Sequence, residues 1–304
     1  MDMDPLPLSD IPKIAARHGF ELQAEVLKLD DSGLDFMTTL AKSRTDGQTW
    51  VLRFPRRTDV IPGLHHERGV LDLVRSRLRV SVPNWQIVTD EMVAYPALEG
   101  VPAGTIDPEL GDYVWQIDPN APPESYIASV ARFLVRLHGI DRSEIQNAGF
   151  ATPSIAEVRK TLAENMDQTR KLLEVPYSRW ARWRDWIEND TLWPPESRFI
   201  HGDFHPGHTL VNASGTLSGV IDWTEACMDD PGKDFVVFHA AFGESVLQNL
   251  IDQYQAAGGT VWPGMKRHII ERWNANPVEY ALFALRTGNK THMENARASM
   301  EWPQ

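Results

Sequence analysis

One cysteine, Cys227, stands alone in this chain. No internal disulfide can form, so the fold has to be held by packing, as in proteins of a reducing compartment. A small buried residue is the better reading of Cys227 than a reactive thiol. No stretch approaches the roughly 18 consecutive apolar residues of a membrane span. The opening Met1-Asp2-Met3-Asp4-Pro5 lacks the basic start and apolar core of a secretory signal. A cytoplasmic protein without a membrane partner is therefore expected. Positive charge is scarce as well: 30 Lys and Arg face 42 Asp and Glu, for a net charge of −12. Such a chain repels phosphate backbones, which argues against nucleic acid and favours a cationic small molecule. Repeats and low-complexity tracts are missing. What remains is an ordinary globular composition, 42% hydrophobic and 24% charged over 304 residues. That suits one two-lobed enzyme or two small domains, and a monomer is expected.

Along the chain, Ser9 can cap a short helix through Arg17. Strand-like runs follow at 21–29, 36–41 and 49–54, with Asp46-Gly47 as a hairpin turn. Val70, Leu71, Val74 and Leu78 mark a helix over 67–78, and two short strands follow at 85–88 and 92–95. Residues 100–125, rich in Pro, Gly and Asp, read as loops. Beyond them the pattern is helical, over 125–137, 154–173, 177–189, 234–241, 245–257, 264–274, 278–287 and 290–300. The expected organisation is a first domain of residues 1–98 and a second of 99–304, whose only β structure is one hairpin.

That hairpin carries the chemistry. Phe199-Ile200-His201-Gly202-Asp203-Phe204-His205-Pro206-Gly207-His208 precedes it, and Val220-Ile221-Asp222-Trp223 ends it. Between them, 210–212 read as a strand, Ala213-Ser214-Gly215 as a turn and 217–221 as the returning strand. Folding back in this way brings Asp222 near Asp203 and His208. A carboxylate able to orient a hydroxyl then lies beside a carboxylate and an imidazole able to bind a divalent metal, which is what phosphoryl transfer needs.

These residues resemble the catalytic and metal-binding loops of the aminoglycoside-phosphotransferase branch of the protein-kinase-like fold. The resemblance differs at one place, where His208 stands for the usual Asn, and this is the pattern of the macrolide 2′-phosphotransferases. Further similar strings are Ser32-Gly33-Leu34-Asp35-Phe36, Trp50-Val51-Leu52-Arg53-Phe54-Pro55-Arg56-Arg57, Val82-Pro83-Asn84-Trp85 and Leu98-Glu99-Gly100-Val101-Pro102-Ala103-Gly104-Thr105. Others are Phe242-Gly243-Glu244, Gly258-Gly259-Thr260-Val261-Trp262-Pro263 and Tyr280-Ala281-Leu282-Phe283-Ala284-Leu285. The resemblance implies an α+β, bilobal fold: a small N-terminal lobe of antiparallel sheet plus helix that binds nucleotide, and a larger, mostly helical C-terminal lobe. It also implies Mg²⁺, GTP or ATP as phosphoryl donor, and a macrolide antibiotic as acceptor, phosphorylated on the 2′-hydroxyl of its amino sugar.

Residue by residue, the resemblance makes Asp203 the catalytic base and His208 and Asp222 the metal ligands. Ser32 would touch phosphate oxygens, and Arg53 would replace the phosphate-binding lysine of kinases, paired with Glu67. Guanidinium, always charged and forked, suits that role. Tyr95, Pro96 and Leu98 form the expected hinge, with the Pro96 carbonyl and the Leu98 N–H meeting the purine. His201 and Asp234 are expected to anchor the catalytic loop. His205, Asp230, Phe242 and Tyr280 are the candidates for the acceptor pocket, with Asp230 as the acid that meets a protonated amine. Trp180, Trp183 and Trp186 share a helical face and read as core. Competing readings are a kinase of an aminoglycoside, homoserine, choline or a sugar, and a pseudokinase that binds without turnover.

Overall fold

The computed structural model describes residues 6–30, 35–107 and 112–301. Ser32 lies outside the described residues. In chain order the elements are α1 (Ile11–Arg17), β1 (Leu22–Asp30), β2 (Phe36–Ser43), β3 (Thr49–Pro55), α2 (Ile61–Val74), β4 (Ile87–Val88) and β5 (Val93–Pro96). Then come β6 (Val101–Pro102), β7 (Gly104–Asp107), β8 (Asp112–Trp115), α3 (Glu124–His138), α4 (Arg142–Asn147), α5 (Ile155–Leu172) and α6 (Tyr177–Glu188). The rest are β9 (Arg198–Ile200), β10 (Thr209–Val211), β11 (Leu217–Val220), β12 (Cys227–Asp229), α7 (Lys233–Ala256), α8 (Met265–Asn274), α9 (Pro277–Thr287) and α10 (Lys290–Glu301). Two compact units result: Met1–Ile117 with Pro206–Glu225, and Asp118–His205 with Ala226–Gln304.

In the first unit, five antiparallel strands lie in the order β1-β2-β3-β5-β4. Strand alternation sorts β3 between two clusters. Leu52 and Phe54 bury against Ile11 and Ala15 of α1, while Val51 shares the opposite cluster with Leu64 of α2 and Tyr95 of β5. Arg53 lies on that second face, its guanidinium 4.3 Å from the centre of the Phe36 ring. β10 and β11 form the expected hairpin, and β6 joins them as a third strand.

Several expectations are corrected. Residues 100–125 hold strands β6, β7 and β8, and β9 pairs with β12, so the hairpin is not the only β structure after residue 98. α2 begins at Ile61 because Pro62 presets its first turn, well before its apolar stripe reaches Glu67. Ser9 caps nothing: Leu8–Asp10 is a 3₁₀ turn that runs into α1. α4 was not expected.

The second unit is built on helices. α5 starts at a capping box, in which Ser154 and Glu157 satisfy each other's backbone N–H. α7 spans the two helices expected at 234–241 and 245–257, kinked at Gly243, whose φ of 80° is open to glycine. Trp183, Trp186 and Trp193 are buried with Leu162 and Met166 of α5 and Val278 of α9. Their indole N–H groups find Asn274 O, His268 Nδ1 and Trp186 O, the signature of satisfied core residues. Among the described residues no helix is long and apolar enough to cross a membrane.

Candidate active site

β9 delivers the chain to His201, which is fully buried. The loop after it is fixed by Asp234, in the first turn of α7. The His201 N–H donates to Asp234 Oδ2 and the Gly202 N–H to Oδ1, each at 2.9 Å. Both amides reach one carboxylate because Gly202 takes a φ of 85°. A carboxylate can only accept, so His138 must donate through Nε2 to Asp234 Oδ2, at 3.1 Å. The other nitrogen of His138 lies 3.0 Å from the Tyr254 hydroxyl. Burial pushes the Asp234 carboxyl up, but the bond from His138, its charge and the loop amides outweigh this and hold it below the usual range. His201 closes the loop on itself, with Nδ1 3.4 Å from the Asp203 N–H.

The loop so braced presents Asp203 with its side chain 49% exposed, and His205 Nε2 lies 3.9 Å from Asp203 Oδ2. Asp203 forms part of the wall of an open pocket enclosing about 50 Å³, with Leu162, Phe204, Val236, Val237 and Ala275 supplying apolar surface. Lys233, Arg272, Asn276 and Glu279 complete it. Apolar and charged groups thus share the wall about equally.

Asp230, expected to meet the acceptor's amine, is corrected. It is fully buried, accepts from the Gly232 N–H at 2.8 Å, and lies 2.7 Å from His268 Nε2 and 3.1 Å from Arg272 Nη1. Its oxygens are used in bracing the turn between β12 and α7. Phe242 and Tyr280 do not line the cavity either. Phe242 packs on Tyr126 and Phe238, and the Tyr280 hydroxyl lies 2.9 Å from His292 Nδ1.

In the first unit, Arg53 and Glu67 form a buried pair, Nη1 donating to the two carboxylate oxygens at 2.8 and 3.0 Å. Glu67 also accepts from the Trp223 N–H at 3.3 Å and the Thr224 hydroxyl at 3.0 Å. Thr224 Oγ1 lies 3.0 Å from Asp222 Oδ1 as well, and Arg53 Nη2 lies 3.9 Å from that oxygen. Asp222 has a φ of 61°, left-handed for a residue with a side chain. His208 Nε2 is 3.9 Å from Asp222 Oδ2, so a nitrogen and a carboxylate donor converge, a set able to hold a divalent ion. At the expected hinge Tyr95 is buried in the sheet. The Ala97 N–H goes to Thr49 O, whereas the Leu98 N–H has no protein acceptor among the described residues.

Thr224, the Trp223 amide, His138, Lys233 and Glu279 were missing from the sequence reading. Only Thr224 and Trp223 carried a signal, being next to Asp222.

Residues 27–268 match the family model described as "Phosphotransferase enzyme family". The uncharacterized Bacillus subtilis protein YcbJ is 38% identical over 289 residues, 95% of this chain and 94% of its own. A solved macrolide 2′-phosphotransferase type I is 35% identical with a TM-score of 0.91, all of both chains covered. Macrolide 2′-phosphotransferase MphH from Brachybacterium faecium, as apoenzyme, is 33% identical with a TM-score of 0.88, covering 97% of this chain and 99% of its own. The α+β, protein-kinase-like class expected from the sequence is the class of these structures.

Proposed function

The chain belongs to the phosphotransferase enzyme family, and from that premise we propose that it is a macrolide 2′-kinase. It moves the γ-phosphoryl of GTP or ATP to the 2′-hydroxyl of a macrolide's amino sugar, inactivating the antibiotic. The observation that carries the reading is Asp203, presented by a loop that Asp234 braces, in the wall of a pocket lined by apolar and charged groups. The likeness to two macrolide 2′-phosphotransferases over nearly the full length of the chain supports the acceptor class.

In this reading Asp203 accepts a hydrogen bond from the 2′-hydroxyl, aligns its oxygen with the γ-phosphorus and takes the proton late, since the transition state is loose. Leu162, Val236 and Ala275 cover apolar acceptor surface and exclude water, and His205 flanks the same hydroxyl. Residues 1–98 bind the nucleotide. Arg53, kept in place by Glu67, forks onto the α- and β-phosphate oxygens, and Ser32 is assigned a phosphate-binding role. The Pro96 carbonyl and the Leu98 N–H pair with the purine beside Tyr95. His208 and Asp222 would hold Mg²⁺, which supplies charge neutralisation on the polyphosphate. The protein acts as a cytoplasmic monomer, with no nucleic acid or membrane partner.

The test is turnover of the purified protein with GTP and with ATP, offered erythromycin, spiramycin, kanamycin and choline, read by mass spectrometry. A phosphorylated macrolide supports the proposal. A phosphate on kanamycin or choline, with none on either macrolide, overturns it.

A further inference from the structure

We propose that Glu279 is the anion that receives the protonated amine of the acceptor, an assignment that rests on the macrolide reading and deepens it. The amine needs a carboxylate within reach of the cavity, and Asp230 is already enclosed by His268, Arg272 and Gly232. Among the described residues only two carboxylates line the cavity, Asp203 and Glu279. Asp203 is committed to the hydroxyl.

Glu279 is in the first turn of α9 with its side chain 45% exposed. Its Oε1 lies 3.2 Å from Lys233 Nζ and 3.7 Å from Arg272 Nη2. Two cations thus hold the carboxylate in the cavity wall. Arg272 is also tied to Asp230 and faces Asp229 Oδ1 at 3.9 Å. Burial alone would push the Lys233 ammonium down, but Glu279 and Asp229 overcome this and hold it charged.

The charge balance makes Glu279 a selector. With its charge present, Lys233 faces its own counter-ion while Arg272 faces Asp230 and Asp229, and the cavity admits one ammonium. Without it, Lys233 loses its nearest anion and its charge faces the incoming amine, where like charges repel. A single acid between two cations also suits one amine better than several. The amine on Glu279 and the neighbouring hydroxyl on Asp203 would together fix the sugar's orientation.

The experiment compares wild type, Glu279→Gln, Lys233→Met and the double variant. Each is assayed with erythromycin and with its 3′-de(dimethylamino) analogue, with the KM for GTP and the thermal midpoint as fold controls. Glu279→Gln is expected to raise the erythromycin KM about tenfold or more, a loss of about 1.4 kcal/mol, while the analogue's KM changes by less than about twofold. Lys233→Met removes a cation from the cavity wall and should lower the erythromycin KM; a raised KM would contradict the charge argument. If Glu279→Gln alone lowers the midpoint, the double variant has no unpaired cation and must show the same selectivity. Equal KM increases for both substrates would make Glu279 merely structural and overturn the proposal, as would an unmoved erythromycin KM. Wild type that turns over neither macrolide would overturn the acceptor class and this assignment together. Turnover by wild type with an indifferent Glu279→Gln would overturn Glu279 alone.

Discussion

Glu67→Gln keeps the shape of the side chain and removes its charge, leaving Arg53 buried with Asp222, 3.9 Å away, as its remaining acid partner among the described residues. Arg53 and Glu67 have side chains 6% and 1% exposed, so water cannot replace the lost partner. Breaking such a pair costs about 3–5 kcal/mol. At roughly 2–4 °C per kcal/mol, the thermal midpoint should fall by about 6–20 °C. Replacing both partners by apolar residues, as in Arg53→Met with Glu67→Leu, removes the orphaned charge. It leaves the Trp223 N–H and the Thr224 hydroxyl short of an acceptor, at about 1–3 kcal/mol. The double variant should therefore recover part of the midpoint while its KM for GTP stays raised about tenfold or more. Differential scanning fluorimetry and steady-state kinetics give both numbers. A double variant with wild-type GTP affinity would refute the phosphate role of Arg53, and a single variant with an unmoved midpoint would refute the energetic argument.

Asp203→Asn should lower kcat by at least about 10²-fold with GTP binding retained, measured by single-turnover kinetics and calorimetry. Asp222→Ala should abolish Mg²⁺-dependent turnover, whereas His208→Asn should keep part of it, because an amide oxygen can still face a metal; titration of turnover with Mg²⁺ separates the two. Burial raises the Asp230 carboxyl, but His268 and Arg272 outweigh it and hold it far below its ordinary value of 3.8. A depressed folded value gives stability that is present above 3.8 and lost as pH falls below it. Thermal melts from pH 6 downward should thus show a shallower acid decline for Asp230→Asn than for wild type.

The catalytic hairpin was legible because its signals are local: a Ser-Gly turn between two short apolar runs, with an Asp after the second. α5 was legible for the same reason, since Ser154 and Glu157 announce its start. β6 to β8 were hidden because strands of two to four residues, interrupted by Pro102, Ala103 and Gly104, carry too little alternation to stand out from loops. Arg53 with Glu67 could be read from an arginine amid apolar strand residues and an acid on the next helix. Asp230 could not be read in the same way. Its neighbour Asp229 has the same type, and only the approach of His268 and Arg272 on α8 decides which of the two is buried. Glu279 escaped for a related reason, as its partner Lys233 is on α7 and no spacing in the sequence links the two helices.

The most direct test of the central claim is the position of the transferred phosphoryl group. Wild-type protein, Mg²⁺, GTP and erythromycin should yield one product, in which ³¹P–¹H correlation NMR couples the phosphorus to the proton on the 2′ carbon of the amino sugar. Coupling to any other sugar or lactone position, or no phosphorylated macrolide under conditions where kanamycin is phosphorylated, would contradict the account.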